Sequence, residues 1–223
     1  MTTNTLSNVE YRAEVLKTES KPEALNFGPA TLLMALNLAV AASDALDQVK
    51  RAIYYGKDID QQKMLGALQG VAGIAQALAF PVATERYRDP RDVDFFTQQL
   101  APEVAQGLNA AHLDLRILHA AIGRFTEAGE FIAPVAKMLV GGGFDKVNAL
   151  EELGDGGWYD EIGLDALGYT REQAQFANIK KLTDKKNGRY KGAFDPNAAV
   201  NRDVDAERAL LEAAANDADA KAA

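Results

Sequence analysis

Alanine- and leucine-rich segments follow one another along most of this chain, with few β-branched runs among them. Such sequence is rich in helix formers and offers little material for strands, which constrains it to an all-α fold. Helices are predicted near 7–18, 29–55, 60–80, 91–109, 112–139, 146–167, 171–184 and 201–215. Breaks fall at Pro29, "YYGKDID", Pro81, "RDPRD", the triple glycine Gly141–Gly143, "LGYTRE" and "NGRYKGAFDP". Thr170 and Gln173 have the spacing of a capping box for the helix that follows. The small, polar tail 213–223 is predicted to fray into a flexible end.

At 223 residues the chain has enough length for one substantial core or two small ones. It has no cysteine, so disulfides and thiolate metal sites are excluded, which fits a reducing cytoplasm. With only two histidines, His112 and His119, a metal here is expected to be a hard cation held by oxygens. The formal charge of −8 lacks the basic excess of a nucleic-acid binder. The N-terminus has no signal-peptide core. The longest apolar stretch, Ala30–Ala42, is too short to span a bilayer and reads as a buried helix, so no membrane partner is expected.

Two stretches run alongside each other as a weak internal repeat, Leu36–Gly70 and Leu118–Asp155. Both read as helix, glycine turn, helix. Asp44 and Asp47 fall where Glu127 and Glu130 stand, and Gly56 meets Gly141. Ala67 and Gly70 meet Glu152 and Asp155, so only the second copy keeps both acidic pairs.

Each pair, Glu127/Glu130 and Glu152/Asp155, is spaced three positions apart and therefore shares one helix face. From the triple glycine the two arms reach back roughly 16 and 14 Å, so an antiparallel hairpin brings the pairs level. Like charges gathered this way repel unless a cation offsets them. Packed helices lie about 8–10 Å apart, a gap that carboxylates can close around an ion. Mg²⁺ suits such a site, since it prefers oxygen ligands and keeps waters for phosphates. The same spacing also suits a solvated acidic face, so geometry permits the centre without requiring it.

The segments "LHAAIGRFTEAGEF", "NALEELGDGGWY", "LGYTREQAQFANIKKL", "RYKGAF" and "NRDVDAER" occur in this order, and together they resemble the MazG-type nucleotide pyrophosphohydrolases. The resemblance is to the short phage and bacterial members and covers roughly residues 118–207. It implies a helical bundle of the all-α NTP pyrophosphatase type, here with two helix-turn-helix repeats. The family's E-x-x-E and E-x-x-D signature falls on Glu127, Glu130, Glu152 and Asp155. By resemblance these four are the catalytic residues and the ligands of Mg²⁺, with Mn²⁺ as a possible substitute. The implied substrate is a (d)NTP, cleaved to (d)NMP and pyrophosphate, with Glu127 as the candidate general base. Asn178 and Lys181 match positions near the substrate, and Arg189 and Tyr190 are expected to reach it from the following loop. Trp158 reads either as a base-stacking wall or as a packed core residue, with packing favoured. His119 is expected to be structural. The family usually assembles as dimers, which implies a homodimer or an internal pseudo-dimer.

Two departures stand out. Gly156, Gly157, Asp160 and Glu161 replace aliphatic residues of the family pattern, and the glycines are expected to leave room for a nucleobase or to loosen the segment. The lysine-rich turn of the family is missing at Gly141 but present in the first copy at Lys50–Lys57. The expected organisation is an N-terminal segment (1–25), a degenerate copy (26–112), a catalytic copy (113–212) and the tail (213–223). A catalytically impaired nucleotide-binding or interaction protein on the same bundle is the alternative. A purely structural bundle leaves the ordered motifs unexplained.

Overall fold

The computed structural model describes residues 6–96, 100–191 and 193–222, with the backbone alone for Pro196 and 215–222. It is all-α: ten α-helices and two short 3₁₀ turns, with no strand among the described residues. The chain divides into two compact units. One joins the N-terminal segment up to Glu23 to everything from Asp114 onward, and the other is Ala24–Leu113.

The first unit is built on a hairpin of α6 (Leu115–Met138) and α7 (Lys146–Ala166). Both helices start on an aspartate N-cap. Asp114 accepts from the amides of Arg116 and Ile117, and Asp145 from those of Val147 and Asn148. Pro134 lies inside α6, where it withholds the N–H that the Glu130 carbonyl would otherwise receive. Small residues let the two helices approach: a Cβ on Gly163 would lie 3.2 Å from that of Ala120, and Gly123 lies directly under the ring of Tyr159.

Helix α1 (Asn8–Thr18) begins with a reciprocal capping box between Ser7 and Glu10. It is tied to the hairpin by Val15, which joins Ala120 and Ile162 in a small core that Tyr11 and Trp158 flank. An ionic network adds to this: Arg12 meets Asp165 at 2.5 Å, and Arg116 bridges Glu19 at 2.5 Å and Asp165 at 2.7 Å. Helix α8 (Arg171–Thr183) has the capping box read from Thr170 and Gln173. It packs against α10 (Val204–Ala222), after the short α9 (Pro196–Val200). The backbone of α10 stays helical to Ala222, through the tail that composition predicts to fray. Its alanines are strong helix formers, and neither glycine nor proline interrupts it.

The second unit pairs α2 (Pro29–Tyr55) with α3 (Gln61–Ala83) across the turn at Gly56, which adopts φ +60°. Gly28 offers no side-chain cap to α2; Asp92 supplies one from a distance. Its buried carboxylate accepts from the amides of Ala30 and Thr31 and from the Thr31 hydroxyl, at 2.7–3.0 Å. A Cβ on Gly28 would lie 2.2 Å from that carboxylate, so the glycine admits the cap.

Three expectations are corrected here. The helix predicted over 91–109 is two short ones, α4 (Asp92–Phe96) and α5 (Pro102–Gly107). Pro102 takes the first turn of α5 because it has no N–H to give a helix interior; residues 97–99 lie outside those described. Helix α3 runs past Pro81 to Ala83, since a proline in the last turn removes a single hydrogen bond.

Finally, α2 is not a buried helix. Only Ala30, Thr31, Met34 and Gln48 are buried, while Val40, Leu46 and Ile53 are exposed. By length and composition alone, Pro29–Tyr55 and Gln61–Ala83 each suffice to cross a membrane. The later turns of α2 carry Asp44, Asp47, Lys50 and Arg51, which are costly in hydrocarbon.

Candidate metal centre

The α6–α7 hairpin sets facing positions in a regular antiparallel ladder. Ala120 faces Gly163, Gly123 faces Tyr159 and Arg124 faces Gly156. One turn nearer the Gly141 loop, Glu127 faces Glu152. Glu127 and Glu130 therefore meet Glu152, but not Asp155, because the helices start and turn where their caps dictate.

One carboxylate oxygen from each of Glu127, Glu130 and Glu152 lies within 4.8 Å of the other two. Glu152 is buried at 7% exposure, Glu127 is half-buried and Glu130 is exposed. Asn148, one turn earlier on α7, donates from Nδ2 to Oε1 of Glu152 at 2.5 Å. Asp155 is exposed and stands outside this triad, although its charge acts on Glu127. Burial holds the Glu127 carboxyl above the usual glutamate range. The hydrogen-bonding Glu152 carboxyl and the charges of Glu130 and Asp155 push it the same way. Burial, followed by the charges of Glu127, Asp155 and Glu130, also raises the Tyr159 hydroxyl. Negative charge is concentrated here beyond what water would favour, and oxygen donors of this kind fit a hard divalent cation.

The other candidate residues are placed as follows. Trp158 flanks the core cluster of Val15, Ala120 and Ile162, and its indole N–H donates to Thr18 Oγ1 at 3.0 Å. Its ring stands edge-on to His119 and Tyr159. His119 packs against the same two rings, and its buried Nδ1 has no hydrogen-bond partner among the described residues. Asn178 is exposed on α8. Lys181 is half-buried, and burial, then the charges of Arg189 and Arg202, hold its amine below the usual lysine range.

Arg189 is engaged within the fold: its Nε and Nη2 donate to both oxygens of Glu207 at 2.8 and 2.7 Å. Arg202 shares the same carboxylate. Arg189, Tyr190 and Glu207 line a cavity of about 450 Å³, together with Lys186 and Asp195.

Two features of the site escape sequence reasoning. Asn148 carries a signal in retrospect, since it stands one helical turn before a ligand candidate and can reach it only if the segment is helical. The role of Gly156 is the other. The space it leaves holds the Arg124 guanidinium, and the nearest group to a Cβ on Gly157 would be the Tyr11 hydroxyl at 3.4 Å. The space at Gly156 is thus occupied by Arg124, while Gly157 has only the Tyr11 hydroxyl nearby. No family model, curated protein or solved structure matches this chain.

Proposed function

We propose that the chain is a divalent-metal-dependent nucleoside triphosphate pyrophosphohydrolase of the MazG type, converting (d)NTP to (d)NMP and pyrophosphate. The observation that carries this reading is the convergence of Glu127, Glu130 and Glu152 within 4.8 Å, with Asp155 on the same turn of α7 as Glu152. These carboxylates would hold Mg²⁺ or Mn²⁺, which supplies positive charge for the phosphate oxygens and lowers the pKa of water.

In the reaction, a water oxygen bonds to the α-phosphorus as the bond from that phosphorus to the bridging oxygen breaks. Pyrophosphate leaves with the electron pair, and a proton of the water passes to a carboxylate. By the resemblance, Glu127 is the carboxylate to accept it. Asn148 holds Glu152 in one orientation.

The same reading treats the α2–α3 hairpin as a degenerate copy of α6–α7. Ala67 and Gly70 bring no carboxylates, and Asp47 is already engaged by Lys50 and Arg51. The exposed Leu139, Val140, Val147 and Leu150 around the Gly141 turn support association with a second apolar surface, in a dimer or pseudo-dimer in the cytoplasm. A panel of canonical and modified (d)NTPs with Mg²⁺ tests the activity. Monophosphate and pyrophosphate are the expected products, and orthophosphate with a diphosphate would refute the cleavage position.

A further inference from the structure

Gly156 is buried in the middle of α7. Its backbone is ordinary helix, where glycine costs about 1 kcal/mol relative to alanine, so helix geometry does not call for it. Arg124 does. A Cβ at position 156 would lie 2.2 Å from Nη1 of Arg124, and the next nearest atoms, at 3.4 and 3.8 Å, belong to that same side chain. The three atoms nearest the notch all belong to the arginine.

Arg124 stands one turn before Glu127 on α6, about 4.5 Å away along the axis, and Gly156 directly follows Asp155. The guanidinium meets Asp160 through Nε at 3.3 Å. Its Nη groups carry no hydrogen bond to a described residue, and the side chain is 50% exposed. An ion pair this exposed contributes about 0–1 kcal/mol, no more than the glycine costs. Pairing with Asp160 therefore does not account for the notch. A planar fork with free donors, next to a cluster that gathers cations, is the chemistry that grips phosphate oxygens.

We propose that Arg124 is a substrate-phosphate contact, held against α7 by the Gly156 notch one layer from the carboxylates. Its Nη donors meet non-bridging oxygens of a triphosphate anchored at Glu127, Glu130 and Glu152. This rests on the reading of the centre as a triphosphate hydrolase.

Two variants test it in the full chain. Arg124→Gln removes the charge. Gly156→Ala leaves the arginine present but displaces its head, and by helix propensity alone it does not weaken the fold. The probe is inorganic tripolyphosphate with Mn²⁺, followed by calorimetry, so that no nucleobase preference intervenes. Both variants are expected to bind tripolyphosphate about tenfold more weakly than wild type, the loss of one charge-assisted contact. Their Mn²⁺ affinity is expected to stay within about twofold of wild type, because neither variant alters a carboxylate ligand. Their melting temperatures are expected to be no lower. Wild-type tripolyphosphate affinity in both variants overturns the assignment and leaves the metal centre standing. Failure of wild type itself to take up Mn²⁺ removes the centre and the Arg124 assignment together.

Discussion

Asn148 reaches forward one turn of α7 and donates from Nδ2 to Oε1 of the buried Glu152 at 2.5 Å. The amide fixes the rotamer of the one carboxylate in the cluster that is nearly removed from water. It thereby fixes where that carboxylate presents its other oxygen.

Asn148→Ala is predicted to weaken Mn²⁺ binding about 10–100-fold, the usual effect of removing a residue that orients a ligand. Asn148→Asp also loses the donor but adds a negative charge that attracts cations, so it is predicted to bind Mn²⁺ more tightly than Asn148→Ala. Titrating Mn²⁺ against each variant, with circular dichroism to confirm the helices, separates a lost orienting bond from a lost fold. Equal metal affinity in all three proteins would show that Glu152 needs no such support.

Another ion pair of this unit contributes to acid stability. Hydrogen bonds from Arg189, then from Arg202, outweigh burial and pull Glu207 from the ordinary 4.5 down to about 2. The unfolded chain therefore binds this proton more readily than the folded one. The stabilisation is present in full above the unfolded value of 4.5, declines as pH falls below it, and is gone below about 2. A shift of this size corresponds to something on the order of 3 kcal/mol. Urea midpoints measured from pH 6 to 2.5 should fall less steeply in Glu207→Gln than in wild type. The variant should also be the less stable at pH 6, since it leaves Arg189 without its bidentate partner. Parallel pH profiles would mean that the pair is not responsible.

Much of this architecture is legible in the sequence, because helices of this composition announce their own limits. Asp114, Asp145 and Thr170 are local caps, and the helices they start carry Glu127, Glu130, Glu152 and Lys181. The spacing of the acidic residues already predicts which face they occupy, and the turn at Gly141 brings the faces together. What sequence does not reveal are relationships made at a distance. The cap of α2 comes from Asp92, 61 and 62 positions away. The ties of Arg189 to Glu207 and of Trp158 to Thr18 join residues 18 and 140 positions apart, and the second agrees with the packing role favoured for Trp158. Gly156 looks like a missing side chain until Arg124 is seen in its space.

The account rests on carboxylates that gather to hold a divalent ion, and calorimetric titration of Mn²⁺ into wild type and Glu152→Gln tests this most directly. Saturable uptake by wild type is predicted, strengthened by added triphosphate and reduced at least about tenfold in the variant, which loses a charged ligand. Uptake that is absent from wild type, with or without nucleotide, or that is unchanged by the substitution, would contradict it.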